Sequence, residues 1–250
     1  MPSRRFTSYS PPPPLPPSPP PPPPPSPPPP LFFDLDDTLH DASHAIFGVL
    51  NRRMTEYVQR HLAVDEVEAN RLRQTYWHRY GATLLGLTRH HAVDPHHFLR
   101  ETHDFDIPSL LRAERGLTVL FRALSGRKVL LTNAPDAYAH TVVRELSLLP
   151  HLPQRYAIES MRVHGQFRPK PSQLMLRTML ARERCAPGRA VLVEDSLANL
   201  KAARALGFRT VLVSPVHPRR RRPPGRPAYV DLRIRSVRDL PRALARLRGG

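Results

Sequence analysis

Residues 31–39, with the sequence LFFDLDDTL, constrain the fold of this chain more than any other segment. An apolar run that ends abruptly in polar residues is typical of a buried strand in a parallel sheet. The carboxylates of Asp34, Asp36 and Asp37 would then lie at the carboxyl end of that strand, where open α/β sheets bind ligands. Because clustered aspartates repel one another in a dry site, we expect a positive group among them. A divalent cation is the natural candidate, since hard cations prefer carboxylate oxygens.

Length and composition restrict the remaining choices. At 250 residues the chain is long enough for one large domain or for a domain with an insertion. Cys185 is the only cysteine, so no internal disulfide can form and a reducing compartment is expected. No apolar run approaches the length of a membrane span, and no apolar core of a secretory signal follows the basic N-terminus. These features predict a cytoplasmic protein with no membrane partner.

The formal net charge of +17 raises the question of a nucleic-acid partner. About half of the excess lies after Ser214, where eleven arginines are opposed only by Asp231 and Asp239. Lysine occurs only at positions 128, 170 and 201, and such a bias, with many alanines and prolines, is typical of a GC-rich coding background. We favour a solvated basic surface, with nucleic-acid binding through residues 214–250 as the alternative.

Most of the 32 prolines lie in the tract from Pro11 to Pro30, which predicts polyproline II or disorder rather than helix or sheet. Residues 1–30 are therefore interpreted as a tail that acts as a spacer, or alternatively as a ligand for a proline-reading domain through residues 11–30. Pro30 directly precedes the first strand, so that strand should be short, and proline suits edge strands better than central ones.

Residues 41–115 show a helical pattern without a strand signal. From Ser43, the predicted N-cap, apolar residues recur at three- and four-residue spacing between Ile46 and Leu62, as in an amphipathic helix. A second helix is predicted to begin at Asp65 and to end near Gly81, and Asp94-Pro95 predicts the start of another. The histidine pairs at 90–91 and 96–97 raise the alternative of a metal site, but adjacent residues point to different faces of a helix, so we interpret them as surface residues.

From Gly116 onward, strands and helices alternate, which predicts a parallel sheet with helices on both faces. The predicted strands cover 128–133, 156–158, 190–195 and 209–213. The segment 214–250 is interpreted as a basic tail, although Val230, Leu232 and Ile234 alternate like a strand and residues 239–247 suit a small helix. The predicted fold class is thus α/β, with a core formed by residues 31–40 and 116–213 and a helical unit inserted at 41–115.

Polar residues follow several of the predicted strands, and in a doubly wound sheet these strand ends meet at one edge. The candidate site therefore combines carboxylates, a hydroxyl, an amide and an ammonium group. Its members are Asp34, Asp36, Thr132, Asn133, Lys170, Glu194 and Asp195.

This set of groups suits phosphoryl transfer. A carboxylate can act as nucleophile and carry a phosphoryl group, and a second carboxylate two residues later can protonate the leaving oxygen and then activate water. Mg²⁺ would neutralise the clustered acids. Lys170 supplies a point charge for a phosphate oxygen, and Thr132 and Asn133 can donate hydrogen bonds to other phosphate oxygens.

The same residues resemble the four motifs of the haloacid dehalogenase superfamily, in the family's order and spacing. Residues 33–39 are similar to the first motif, 131–133 to the second, 168–171 to the third and 193–196 to the fourth. The resemblance implies a Rossmann-like three-layer core in which residues 41–115 form a cap.

The resemblance also implies roles for individual residues. Asp34 would be the nucleophile and Asp36 the acid/base. Thr132 and Lys170 would bind phosphate. Mg²⁺ would bind Asp34, Asp36 through its backbone carbonyl, and Asp195. Glu194 would either assist at the metal or pair with a nearby arginine.

A narrower resemblance concerns the substrate. Residues 80–87 in the cap, together with 132–134 and 194–201, are similar to pyrimidine 5′-nucleotidases, which implies a nucleoside monophosphate. Trp77 and Tyr80 would either stack on a nucleobase or belong to the cap core. Two alternatives remain open at this point. One is a sugar phosphomutase that uses the same site, and the other is a non-catalytic protein that binds nucleic acid or a partner through its tails.

Overall fold

The computed structural model describes residues 28–214 and 225–248. The predictions for the proline tract up to residue 27 and for the arginine run at 219–222 lie outside the described residues. They therefore remain predictions. Among the described residues, no helix combines the length and apolar character that crossing a bilayer requires.

Six parallel strands form the main sheet. They are β1 (Leu31–Phe33), β2 (Lys128–Leu131), β3 (Gln154–Tyr156), β6 (Val191–Glu194), β7 (Arg209–Val213) and β8 (Leu232–Ile234), and their spatial order is β3-β2-β1-β6-β7-β8. A separate two-stranded antiparallel hairpin is formed by β4 (Arg162–Val163) and β5 (Gln166–Phe167). The predicted α/β fold with a parallel sheet is confirmed.

β1 lies inside the sheet although Pro30 precedes it. The missing amide of Pro30 leaves no gap in the ladder, because the Leu31 amide donates to the Arg127 carbonyl at 2.8 Å and the Pro30 carbonyl accepts from Val191 at 3.1 Å. The proline therefore limits β1 to three residues without moving it to an edge. The expectation that proline suits only an edge strand is wrong here, since Pro30 stands before the first paired residue.

Helices cover both faces of the sheet, and alternate residues of β1 pack into two separate cores. Phe33 contacts Phe121 on one face at a ring-centroid distance of 4.9 Å, and Phe32 contacts Phe208 on the other face at 5.9 Å. The first face carries α5 (Ile107–Leu110), α6 (Leu117–Ala123), α7 (Asp136–Glu145) and α10 (Leu240–Arg248), and the second carries α8 (Gln173–Arg182) and α9 (Leu197–Ala205). This is the predicted three-layer Rossmann-like arrangement.

The inserted helical unit, the cap, has its own apolar core. It contains α1 (Ile46–Leu62), α2 (Glu66–Tyr80), α3 (Thr83–His91) and α4 (Pro95–His103), which pack around a cluster that includes Tyr57 and Phe98. The predicted bounds of α2 and the predicted start of α4 are confirmed, whereas Ala45 rather than the predicted Ser43 precedes the first residue of α1. Asp65 caps α2 by accepting from the Glu68 amide, Gly81 ends α2 at a φ of 82°, and Pro95 opens α4.

Packing makes the cap narrower than the predicted 41–115. Ala42, Ile46 and Ile107 are buried in the sheet's core rather than in the cap's core. Conversely, Ile158 and Phe167 from the core pack against the cap. The third strand also differs from the prediction, because Ile158 begins a short 3₁₀ turn and the strand ends at Tyr156.

The segment 214–250 is not only a tail. Leu232–Ile234 pairs with β7 as the sixth strand, and Ile234, Leu240 and Ala243 are buried against the sheet. Placing the end of the core at residue 213 was therefore wrong. The alternation of Val230, Leu232 and Ile234 was the correct signal, because it supplies the apolar face that an added edge strand needs.

Candidate active site

The carboxyl ends of β1, β2 and β6 bring the predicted polar residues together. Asp34 directly follows β1, and its amide donates to the Val193 carbonyl in β6 at 3.0 Å. Thr132 directly follows β2, and its amide donates to the Tyr156 carbonyl in β3 at 2.9 Å. These hydrogen bonds extend the sheet by one residue beyond the strands and fix the backbone from which the polar side chains project.

Lys170 is the centre of the site. Its Nζ donates to Asp34 Oδ1 at 2.6 Å and to Glu194 Oε2 at 2.8 Å. All three side chains are buried, with the lysine residue 3% exposed. Glu194 Oε1 accepts from the Ser196 amide at 3.2 Å, and its other oxygen pairs with this lysine. Of the two alternatives for Glu194, the pairing with an arginine is not seen among the described residues.

Asn133 holds the loop that carries Lys170. Its Nδ2 donates to the Lys170 carbonyl at 3.0 Å, and its Oδ1 accepts from the Lys170 amide at 2.9 Å. The two bonds together fix the lysine backbone against the end of β2. The structure thus shows a positioning role for Asn133, and its predicted hydrogen bond to phosphate stays a prediction.

Carboxylates outnumber cations in this buried site. Burial and the nearby Glu194 raise the pKa of Asp34 to about 8, although Lys170 opposes the shift. Burial and the charge of Asp34 raise the pKa of Asp195 to about 9. Burial alone would lower the pKa of Lys170, but the two carboxylates outweigh that effect and raise it. The site therefore has more negative charge than its one ammonium can balance.

One oxygen each from Asp34, Glu194 and Asp195 lie within 4.8 Å of one another. A buried set of carboxylate oxygens with an excess of negative charge fits a hard divalent cation, and Mg²⁺ is bound in this way by one or two carboxylates. The chemistry of the donors is therefore compatible with the predicted Mg²⁺ site. The Asp36 side chain is not part of this set, which leaves its backbone carbonyl as the predicted ligand.

Two residues outside the predicted site hold the Asp36 carboxylate. Tyr138 on α7 donates its hydroxyl to Asp36 Oδ1 at 2.7 Å, and His40 Nε2 lies 2.8 Å from the same oxygen. Burial and the charge of Asp36 raise the pKa of Tyr138, so the phenol stays protonated and remains a donor. Sequence reasoning missed both residues. His40 follows the first motif directly, whereas nothing in the sequence around Tyr138 distinguishes it from a core tyrosine.

Asp37 belongs to the turn that leads to the cap. Its backbone has a positive φ of 58°, and its Oδ1 accepts from the Ser43 amide at 2.8 Å while Oδ2 accepts from the Ser43 hydroxyl. These bonds hold the Asp37 carboxylate in the turn, apart from the carboxylates of Asp34 and Asp195. The aspartate also fixes the entry into the cap.

The cap touches the loop that contains Lys170 at the turn formed by Gly81. A Cβ on Gly81 would lie 3.3 Å from Pro171 Cδ and 3.5 Å from the Lys170 carbonyl oxygen. Gly81 also has a φ of +82°, so the turn needs glycine for its conformation as well as for its close approach. Of the two aromatic residues considered for base stacking, Tyr80 packs against the cap's apolar core and Trp77 is 57% exposed.

His103, at the end of α4, is expected to make the stability of the fold depend on pH. Burial lowers the pKa of His103 to about 4, below its ordinary value of 6.5. The unfolded chain therefore binds a proton between pH 6.5 and 4 that the folded chain does not, and stability falls as the pH falls. We expect this residue to contribute a slope of up to about 1.4 kcal/mol per pH unit in that window.

Urea unfolding from pH 7 to pH 4.5 measures this slope. The His103→Gln variant, which cannot take up the proton, should lose less stability over the same range than the wild type. Equal slopes for the two proteins would show that His103 does not remain neutral in the fold.

Comparisons with known proteins agree with this geometry. A family model described as haloacid dehalogenase-like hydrolase matches residues 31–207. Phosphate metabolism protein 8 of Saccharomyces cerevisiae is 30% identical over 63 residues, which are 25% of this chain and 20% of that protein. The chain thus spans about a fifth of the length of this curated relative.

Solved structures share the fold at low sequence identity. A haloacid dehalogenase phosphatase from Thermococcus onnurineus has a TM-score of 0.56 at 20% identity, covering 85% of this chain and 95% of the other. CbbY from Rhodobacter sphaeroides, in complex with phosphate, has a TM-score of 0.57 at 21% identity, covering 84% and 95%. An L-2-haloacid dehalogenase has a TM-score of 0.55 at 20% identity, covering 86% and 98%. Similarity of fold therefore does not distinguish a phosphatase from a dehalogenase.

The match of the family model covers more than half of the chain. It includes all four motif segments, from the aspartates after β1 to the acids after β6. The fold, the converging strand ends and this match lead to one conclusion. The chain belongs to the haloacid dehalogenase-like hydrolases.

Proposed function

We propose that this protein is a Mg²⁺-dependent phosphomonoesterase that works through an aspartyl-phosphate on Asp34, with a nucleoside 5′-monophosphate as substrate. The observation that carries the proposal is the buried ammonium of Lys170, held between Asp34 and Glu194. This arrangement sets a carboxylate nucleophile beside a fixed positive charge that can receive a phosphate oxygen.

Each residue of the site has a part in the proposed reaction. Asp34 attacks phosphorus, and its second oxygen is steadied by the Thr38 hydroxyl at 3.4 Å. Lys170 and the Thr132 hydroxyl bind phosphate oxygens, and Glu194 keeps the lysine in place. Asp34, Asp195 and the backbone carbonyl of Asp36 would hold Mg²⁺. When bound, Mg²⁺ would neutralise the acids and polarise the phosphoryl group.

Asp36 handles the proton in this proposal. It protonates the oxygen of the leaving alcohol and afterwards takes a proton from the water that hydrolyses the aspartyl-phosphate. Tyr138 and His40 both contact Oδ1, which leaves Oδ2 for the proton transfer. Tyr138 therefore acts as a positioning residue, since it works through Asp36.

The Tyr138→Phe variant is expected to lose roughly tenfold or more in kcat, because a small displacement of the acid/base is costly. KM should change far less, since the tyrosine does not touch the phosphate. Steady-state kinetics with p-nitrophenyl phosphate measure both values. Tyr156→Phe is the matched control, because its hydroxyl donates to Glu183 at 2.6 Å outside the site. An unchanged kcat in Tyr138→Phe would contradict the positioning role.

Two features support a nucleotide as the substrate. The segment 80–87 that is similar to pyrimidine 5′-nucleotidases forms the cap turn beside Lys170. Tyr80 in this turn has the guanidinium carbons of Arg79 and Arg89 at 5.5 and 5.9 Å from its ring centroid. An aromatic ring with two guanidinium groups near it suits an anionic ligand that carries a flat base. The name of the yeast relative also refers to phosphate metabolism.

A panel of phosphate esters tests the proposal. With Mg²⁺ present, UMP and CMP should be hydrolysed with a higher kcat/KM than hexose and triose phosphates. Better hydrolysis of the sugar phosphates would overturn the nucleotide assignment, and their isomerisation without phosphate release would indicate a mutase. Failure to hydrolyse any phosphate ester, including p-nitrophenyl phosphate, would overturn the proposed function as a whole.

A further inference from the structure

A second group of metal-ligating side chains lies on the cap, on elements separate from the acids of the active site. His61 is in the last turn of α1, and His97 and Glu101 are one turn apart on α4. One donor atom from each of the three residues lies within 4.8 Å of the others. His97 Nε2 and Glu101 Oε1 are already 2.8 Å apart. Because the residues come from two helices, this proximity results from the packing of the cap.

The ring of His61 is held in the tautomer that a metal ligand needs. Its Nδ1 lies 3.0 Å from the backbone carbonyl of Tyr57, and a carbonyl can only accept. The proton of the neutral ring is therefore on Nδ1, and the lone pair is on Nε2. The ring is also stacked on that of Tyr57, with centroids 3.8 Å apart and an interplanar angle of 7°.

His97 is oriented by the same tyrosine. Its Nδ1 lies 3.0 Å from the Tyr57 hydroxyl, which can accept as well as donate, and Tyr57 is only 1% exposed. A hydrogen bond from the second ring nitrogen to an oxygen is the usual support of a metal-bound histidine. Without a metal, His97 Nε2 donates to the Glu101 carboxylate, which can only accept, so metal binding displaces that proton and the Tyr57 hydroxyl then accepts from Nδ1. One buried residue thus provides an acceptor for the second nitrogen of both rings.

We propose that His61, His97 and Glu101 bind Zn²⁺. Two imidazole nitrogens and one carboxylate are a common donor set for this ion, with the fourth tetrahedral position open to water. The nitrogen donors separate this site from the active-site acids, whose oxygen-only set suits Mg²⁺. Binding requires the three donors to move closer together, which would tie the end of α1 to α4.

Arg60 competes with a metal ion for the carboxylate of Glu101. Its Nη2 donates to Glu101 Oε2 at 2.8 Å, so one carboxylate oxygen has a cationic partner. The Arg60 side chain is 62% exposed, and a salt bridge of that exposure contributes little to stability. The arginine can therefore turn into solvent when Zn²⁺ binds to the other oxygen.

Equilibrium dialysis of the full-length protein against Zn²⁺, with excess Mg²⁺ to occupy the acidic site, tests the proposal. The wild type should bind one more Zn²⁺ per chain than the His61→Ala and His97→Ala variants. His96→Ala is the matched control, because His96 is exposed next to His97 and is not in the cluster. It should bind as the wild type does. Equal binding by all four proteins would overturn the proposal.

Two further measurements test the proposal even if the alanine variants fold poorly. Glu101→Gln keeps the size of the side chain and should weaken Zn²⁺ binding at least about tenfold, because it removes a charged ligand. Co²⁺ substituted at the site in the wild type should give the visible absorption of a four-coordinate ion, and the spectrum should be lost in Glu101→Gln. A spectrum that persists unchanged in this variant would contradict the assignment.

Discussion

Replacing Asp34 by asparagine is expected to lower kcat/KM for p-nitrophenyl phosphate by at least about 10³-fold, because the amide cannot form the acyl phosphate. The shape of the site should survive, since the amide oxygen can still accept from Lys170 at the position of Oδ1. The pKa of Asp34 is raised to about 8 by burial and by Glu194, so its charge opposes folding at neutral pH without Mg²⁺. The inactive variant should therefore be no less stable than the wild type.

Asp37→Asn is the matched control for this substitution. Asp37 lies three residues from Asp34, but its carboxylate contacts Ser43 in the turn. Asparagine tolerates the positive φ of that position, so the backbone should not change. Activity within a few-fold of the wild type is expected. Turnover by Asp34→Asn, or an equal loss in both variants, would contradict the role of Asp34.

Replacing Lys170 by methionine is expected to affect both activity and stability. Loss of a preorganised cation that binds the phosphoryl oxygens should lower kcat by about 10²-fold or more. Removing the partner of two buried carboxylates should also lower the free energy of unfolding by about 3 kcal/mol at neutral pH. Asp34, whose pKa is already raised by burial, would then be more easily protonated in the fold than in the unfolded chain. The stability of the variant should therefore recover as the pH is lowered.

Urea unfolding at pH 5 and pH 8, together with steady-state kinetics, measures these effects. Lys201→Met is the control, because Lys201 is exposed on α9. It should retain both activity and stability. A Lys170→Met protein with wild-type turnover would remove Lys170 from the proposed reaction, and one with wild-type stability would show that the buried charges are balanced in another way.

The sequence predicted the site best where polar residues directly follow a buried strand. The run 31–39 predicts both the buried strand and the acids that follow it, because the change from apolar to acidic residues coincides with the end of the sheet. The same pattern at 128–133 and 190–195 places Thr132 and Asp195 correctly. Lys170 follows a hairpin rather than a strand of the main sheet, so the rule that strand ends meet at one edge does not by itself explain its position in the site.

The remaining parts of the site depend on contacts between distant segments. Tyr138 reaches Asp36 across a separation of 102 residues, and periodicity along one helix does not indicate such a contact. The role of Asn133 likewise depends on the backbone of a loop that only the fold brings near. The sixth strand was missed for a different reason. Its three residues follow a basic, proline-rich segment, and that composition led to the interpretation of 214–250 as a tail. The short alternation of apolar residues correctly indicated a strand.

The central claim is that Asp34 carries a phosphoryl group during turnover. Quenching the enzyme in acid during turnover and reducing it with borohydride would convert an aspartyl-phosphate into homoserine, which peptide mass spectrometry can locate. The account predicts homoserine at position 34 in the wild type and none at positions 36, 37 or 195. Homoserine at another aspartate would contradict it. An Asp34 that stays unmodified during rapid turnover, when hydrolysis of the intermediate limits the rate, would also contradict it.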